Sequence, residues 1–397
     1  MNLKILLGSF ILTLPVTGCI TEYNAELPAN DEQILVVEGN IVGNTDATFY
    51  LSKSFPLNST SVPSESLDID ANLTVIGSDG YKSPPATSLG KGAYQISIGE
   101  LSDDVEYGLQ IEYDGNTYQS TLSKPLQTPE IDSVSWVQPE KAGAISFRVS
   151  THDDTEGAKF FIWNYVENWE ISAYYYTTIF YNPVDSVFYL DGTAPSFYCW
   201  KSNKSSSILV GSTESLNENK IINQQLYQGA PEDDRFSMLY CATVYQTAIS
   251  KNAFDFYQNR KLLNEEMGGL FTPQPSELRG NIICITESSK KAMGYVEVVK
   301  NTTLKRTFVN WRQITRPPVY SLNNCTTITK DSVQSYMNQN NINSYGDFYR
   351  LGYRPISMDL FGYPEILPDE WASKPCADCV ANGGSKNKPD FWPNNDQ

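Results

Sequence analysis

Short runs of alternating apolar and polar residues, each closed by Gly, Pro, Asn or Asp, recur from residue 34 to residue 122 and restrict this stretch to β structure. The runs at 34–42, 47–53, 72–76, 92–98, 106–113 and 116–122 have the period of two that turns one side of a strand to a core and the other to water. Tyr113-Asp114-Gly115-Asn116 marks a hairpin, because Asp and Gly accept the positive φ that a two-residue turn requires. Strands of this length and spacing predict a sandwich over residues 33–128, of immunoglobulin-like or carboxypeptidase-regulatory-like type. Helix-forming runs of Ala, Leu, Lys and Glu are scarce, while Tyr (25) and Phe (17) are plentiful, so the expected fold class is mainly β throughout.

Residues 1–18 are read separately, as an export signal. Lys4 gives a basic start, residues 5–14 an apolar run, and Val16-Thr17-Gly18-Cys19 the small-residue box of a bacterial lipoprotein signal. Lipidation of Cys19 is the expectation. The apolar run is too short to span a bilayer, which takes roughly 20 residues, so the chain is expected to be anchored and not to cross. Residues 19–32 lack periodicity and carry several acids, which makes them a tether.

Charge narrows the partners. Removing residues 1–18 takes away one lysine and no acid, so a formal charge of −17 falls to −18. Such a surface repels phosphate backbones, and nucleic acid is excluded as a partner. Six cysteines remain beyond Cys19: Cys199, Cys241, Cys284, Cys325, Cys376 and Cys379. An even number in an exported chain predicts disulfides, though six thiols allow 15 pairings and spacing does not choose among them. Cys376 and Cys379 have the spacing of a zinc half-site, but no second pair and only one histidine, His152, accompany them. No metal and no cofactor is therefore expected. The pair is expected to tie down the tail, by a local bridge or by one member reaching Cys325 or Cys199.

Residues 129–397 predict a larger β-rich domain with strands at 133–137, 145–150, 159–167 and 187–190, a helix over about 250–267, a shorter one over 331–339 and an extended tail over 374–397. Ser250 is placed to cap the first helix, Ala253, Phe254, Tyr257 and Leu262 give it an apolar face, and Gly268-Gly269 stops it. Fifteen aromatic residues lie between Phe160 and Trp200. They read either as packed strands or as a stacking platform for a glycan or other small flat ligand, with Trp163 and Trp169 as contacts. Phe271, between Gly268-Gly269 and Pro273, reads as a partner contact or as part of a stiff connection. Phe391 and Trp392 are placed to anchor the tail.

Several segments together resemble one family: Leu35-Val-Val-Glu-Gly39, Trp163-Asn-Tyr-Val-Glu-Asn-Trp169, Phe271-Thr-Pro-Gln-Pro-Ser276, Met293-Gly-Tyr-Val296, Lys305-Arg-Thr-Phe308, Cys376-x-x-Cys379-x3-Gly383-Gly384 and Lys388-Pro-Asp-Phe-Trp392. In this order they resemble the domain of unknown function 4249 family of Bacteroidota lipoproteins. The resemblance implies an outer-membrane lipoprotein, facing the cell surface, beside a TonB-dependent β-barrel receptor. It implies no activity that transfers residue by residue. In similar bacteria Asp-Ser-aliphatic tripeptides accept O-glycans, which makes Ser133, Ser186 and Ser332 candidate acceptors.

Catalysis finds little to work with. His152 sits in a turn-like Thr-His-Asp-Asp run, and no Gly-x-Ser-x-Gly elbow occurs. A glycosidase needs only two convergent carboxylates, for which Glu167, Glu170, Glu265 and Glu266 are the candidates. Asp68-x-Asp70-x-Asn72 has Leu73 where a calcium loop turns on Gly, and Pro231-Glu-Asp-Asp-Arg235 reads as a solvated loop. The expectation is a binding or accessory lipoprotein and not an enzyme, with an assembly factor of an outer-membrane complex as the second reading.

Overall fold

A computed structural model describes residues 34–54, 67, 69–182, 187–190, 196–266, 280–317, 325–358 and 368–393. Cys19, Ser186 and Phe271 lie outside the described residues. The chain is mainly β, and among the described residues no helix is long and apolar enough to cross a membrane.

Two sheets build the N-terminal module. In one, neighbouring strands run in the order Ala292–Met293, Leu35–Glu38, Thr45–Lys53, Ala93–Ile98, Thr87–Gly90; in the other, Ile282–Cys284, Asn116–Ser120, Tyr107–Tyr113, Ala71–Gly77. Alternate residues Leu35 and Val37, Phe49 and Leu51, Leu73 and Val75, Leu109 and Ile111 meet in one core, which is the period of two converted into burial. The expected hairpin forms: Tyr113 pairs with Asn116 across Asp114 and Gly115 at φ 51° and 71°.

The module does not end at residue 128. Ile282–Cys284 pairs with Asn116–Ser120, Ala292–Met293 runs parallel to Leu35–Glu38, and Val298–Val299 runs parallel to Ile41–Val42. Val296 and Val298 are buried in its core. Strands 34–122 leave sheet edges whose unpaired amides and carbonyls need partners, and the returning segment supplies them.

A second pair of sheets follows. Lys220–Gly229, Ile145–His152 and Ile131–Val137 make one; Tyr198–Lys204, Phe160–Ser172, Leu239–Ile249 and Thr303–Asn310 make the other, with Leu209–Ser212 also on Phe160–Ser172. Phe161, Trp163, Tyr165 and Val244 from the second sheet close on Ile131, Val149 and Leu226 from the first. Stacked rings extend this core, Tyr165 on Tyr227 at 3.9 Å and Tyr227 on Phe147 at 4.6 Å. The expected helix runs Lys251–Glu266, and Ala253 N donates to Ser250 Oγ at 3.2 Å. It covers Phe160 and Ile162 on the outer face of the sheet through Ala253, Phe254 and Tyr257.

A third, smaller core was not anticipated. Helix Lys330–Gln339, helix Tyr345–Arg350 and the strands Ile328–Thr329, Pro368–Ser373 and Tyr353–Met358 enclose Val333, Met337, Phe348 and Trp371. Phe188, from the hairpin Ile179–Asn182 and Val187–Leu190, meets Trp371 edge-on at 5.6 Å.

Four of the six cysteines pair, as Cys199–Cys379 and Cys325–Cys376. The expectation for Cys241 and Cys284 is corrected: both are buried free thiols. Cys241 lies in the second pair of sheets, in Leu239–Ile249 opposite Asn168 and Phe308. Cys284 lies in the N-terminal module, beside Thr286 and Asn116. Placed in different modules, the two do not pair. Burial pushes the Cys241 thiol up to about 11, which keeps it protonated and unreactive.

Candidate functional site

The site is built where the C-terminal tail meets the edge of the second, four-stranded sheet. In the register of Phe160–Ser172 against Tyr198–Lys204, Trp169 stands opposite Lys201, Glu170 opposite Trp200 and Ile171 opposite Cys199. The tail enters through the Cys199–Cys379 disulfide and a short 3-10 helix, Cys379–Asn382, that Gly383 ends in the left-handed conformation at φ 80°. Ser385 then exchanges both backbone hydrogen bonds with Trp200, at 2.8 and 2.9 Å, so the tail extends the sheet by one residue pair. Beyond it Phe391 lies under the Arg306 guanidinium at 4.2 Å and Trp392 meets Phe308 edge-on at 5.9 Å. Both aromatic anchors dock as the sequence suggested.

Gly384 carries the close approach. A Cβ there would sit 2.5 Å from Cys199 Cβ and 3.0 Å from the Cys379 carbonyl oxygen, contacts that backbone and disulfide cannot yield. Gly384→Ala is expected to lower stability by about 1–3 kcal/mol, read as a shift of the urea midpoint at unchanged slope. An unchanged midpoint would mean that the tail is not seated on the disulfide.

Strand edge and tail enclose a groove of 430 Å³, lined among others by Asn168, Trp169, Trp200, Lys201, Ser202, Ser385 and Asn387. That volume lies within the range of roughly 300–1,000 Å³ usual for small-ligand sites. The lining combines two indoles, an ammonium, and neutral groups that both donate and accept hydrogen bonds. Glu170 lies buried opposite Trp200. Burial raises its pKa, while Lys388 and Trp392 pull the other way.

On the core-facing side of the strand, the side that also carries Trp169, lies a charged cluster. Arg235 donates to Glu167 Oε1 at 2.5 Å and to Asp233 Oδ2 at 2.9 Å. Tyr240 donates to the same Glu167 oxygen at 2.7 Å, Asn203 to its other oxygen at 3.2 Å, and the Tyr227 and Tyr240 hydroxyls share a hydrogen at 2.6 Å. Burial opposes the charge on Arg235, but Asp233 and Glu167 outweigh it and raise its pKa; burial first, with the neighbouring Glu167 charge, pushes the Tyr240 hydroxyl far up. The Pro231–Arg235 run is thus a folded ion-pair cluster and not a solvated loop, with Asp233 capping the 3-10 helix Asp234–Phe236. Sequence reasoning missed Arg235. The adjoining Phe236, which is buried, was the available signal.

The structure separates the two tryptophans. Trp163 is fully buried and donates to Gln246 Oε1 at 2.8 Å, so its expected role as a contact is corrected to core. Trp169 shares its face of the strand but lies nearer the end and lines the groove. Glu167 and Glu170, three positions apart on one strand, point to opposite faces, so they do not converge on a glycosidic bond. Ser133 lies within strand Ile131–Val137, half-buried, and Ser332 in the first turn of helix Lys330–Gln339, where Asp-Ser opens a strand or a helix without any modification. Among the described residues no cluster of His, Cys, Asp and Glu is arranged for a metal.

His152 is engaged by Asp132 at 2.6 Å and lies 3.5 Å from Asp154. The hydrogen bond to Asp132, then its charge, raises the imidazole pKa. The stabilisation is therefore full below the ordinary histidine value and is lost as pH rises through the folded one. Asp132→Asn is expected to bring the titration down, which NMR reads from the only histidine in the chain. An unmoved titration would sink the pairing.

Fold and groove together define a mainly β, multi-sheet protein with an aromatic-lined groove closed by a disulfide-held tail. The chain belongs to the family described as Domain of unknown function (DUF4249), whose profile matches residues 20–305. The tail motifs from Cys376 onward lie beyond that span. Among solved structures, a two fibronectin type-III domain segment from chicken tenascin is similar at 10% identity, over 55% of this chain and 92% of that one, with a TM-score of 0.15. No curated protein matches the chain.

Proposed function

We propose that this chain is a lipoprotein of the outer membrane, anchored through Cys19, that faces the cell surface and works as a non-catalytic binding or accessory subunit of a TonB-dependent β-barrel receptor. The groove at Trp169, Trp200 and Lys201 carries the binding part of this reading. It is open, of ligand size, and its walls are fixed by backbone pairing and a disulfide, so a solute meets a largely preformed site. Of the carboxylates that suggest hydrolysis, Glu167 and Glu170 stand on opposite faces of one strand, which supports binding over turnover at the groove. The anchor follows from the signal around Cys19, and residues 19–32 give the reach to stand beside a membrane partner.

A second reading, an assembly factor that touches only protein, is favoured by one surface. Tyr174 and Tyr176 are more than half exposed (57% and 56%), and Tyr176, Phe197 and Tyr198 form consecutive edge-on contacts, a concentration of rings typical of protein interfaces. Crosslinking in intact cells, followed by mass spectrometry, tests both. The accessory-subunit reading expects a β-barrel receptor crosslinked to this chain and palmitate label at its amino terminus. Label-free protein in the periplasm without a receptor would sink it. A receptor crosslink through Tyr174 and Tyr176, with no solute bound by the isolated protein, would favour the assembly factor.

A further inference from the structure

We propose that the groove binds a short acidic saccharide across the edge of the strand Tyr198–Lys204, its carboxylate or sulfate held by Lys201 beside Trp169 on one face, and a ring resting on Trp200 beside Asn168 and Ser202 on the other. This rests on the binding function proposed above and adds the ligand's chemistry.

Charge is the first ground. The chain carries a net −17, yet the strand Tyr198–Lys204 and residues 379–389 hold Lys201, Lys204, Lys386 and Lys388 and not one acid. The strand and the tail segment of the groove wall, the latter bounded by Asp378 and Asp390, are thus a basic island on an acidic molecule. Glu167 and Glu170, the nearest carboxylates on the neighbouring strand, are buried; Glu167 is neutralised by Arg235. Lys201 is half-buried and lines the groove, and among the described residues it has no carboxylate partner. An ammonium in that position attracts an anion over a distance of about one Debye length, ~8 Å in physiological salt.

The second ground is the rest of the lining. Asn168 and Ser202 line the groove and make no side-chain hydrogen bond with other described residues. Together with Ser385 and Asn387 they offer amide and hydroxyl groups that donate and accept, the complement of a rim of sugar hydroxyls. A fatty acid leaves these groups unpaired, and a polar group desolvated without a partner is costly. Trp200, on the face of Asn168 and Ser202, and Trp169, on the face of Lys201, each offer a flat, polarisable surface on which the C–H face of a sugar ring rests. Length is limited by the same charge balance: a long polyanion leaving the groove meets the acidic remainder of the surface and is repelled.

Calorimetric titration of the full lipoprotein in detergent with trigalacturonate, and with neutral galactotriose as its uncharged counterpart, tests this. The acidic trisaccharide is expected to bind at least about ten-fold more tightly than the neutral one, and Lys201→Gln to weaken it by about ten-fold, the loss of one charge-assisted hydrogen bond. Raising salt from about 50 to about 300 mM should weaken the wild-type interaction more than that of Lys201→Gln. Asn168→Ala, which removes no charge, should weaken both trisaccharides, and thermal unfolding confirms that each variant is folded. Equal binding of the two trisaccharides, binding untouched by Lys201→Gln and Asn168→Ala, or no binding of either overturns the proposal. If neither binds while the receptor crosslink persists, the saccharide inference falls alone; if the crosslink also fails, the accessory function falls with it.

Discussion

Arg235→Ala is expected to destabilise the protein by about 3–5 kcal/mol, the cost of leaving a buried carboxylate without its counter-charge. The Glu167 side chain is 2% exposed against 25% for Arg235, so the loss falls on the group that water cannot reach. Tyr240 and Asn203 still donate to it, but neutral donors do not replace a guanidinium at 2.5 Å. Asp233 loses its partner too, though it is about a third exposed (34%) and water compensates it. Glu167→Gln in the Arg235→Ala background is expected to recover most of the loss, because the amide needs hydrogen bonds and no charge. Urea unfolding of the two single variants and the double variant gives the coupling directly. A double variant no more stable than Arg235→Ala would show that the cluster acts through packing and not through charge. Trp169 is two residues from Glu167 on the same strand face, so the same variants should also loosen the groove wall.

Much of the fold was legible because it rests on local pattern. Alternation in Phe49-Tyr50-Leu51 and Leu73-Thr74-Val75 placed strands, Asp114-Gly115 placed a turn, and Ser250 placed the start of a helix. The parts that were not legible depend on residues far apart in the chain. Ile282 pairs with Ser120 and Thr286 Oγ1 accepts from Thr117 N across 169 positions, and nothing in 280–299 announces that it completes the first module. The site shows the same limit. Periodicity puts Trp163 and Trp169 on one face of one strand, but which ring is covered depends on how far the opposing sheet extends. The basic groove joins residues 198–204 to 383–389, two segments whose lysines gain meaning only once Trp200 and Ser385 are paired.

Loss of the Cys199–Cys379 bridge is the second large effect expected. The bridge closes 180 residues, and constraining a loop of that length removes entropy from the unfolded chain worth about 5 kcal/mol. Cys199→Ser with Cys379→Ser is therefore expected to lower stability by roughly 3–5 kcal/mol, part of the entropic gain being lost to residual structure in the unfolded chain. Cys325–Cys376 closes 51 residues and should contribute less. Neighbouring Cys376 and Cys379 do not pair with each other because Asp378 between them is extended, at φ −141° and ψ 105°. One sulfur is thereby turned to the third core's segment at Cys325 and the other to the strand edge at Cys199. Residues 376–379 thus rivet two parts of the chain and hold the tail on its groove. Peptide mapping of the unreduced protein should return Cys199 linked to Cys379 and Cys325 linked to Cys376, with Cys241 and Cys284 alkylated only after unfolding. A Cys376–Cys379 linked peptide would free the tail from both anchors, and with it the wall that brings Ser385 against Trp200.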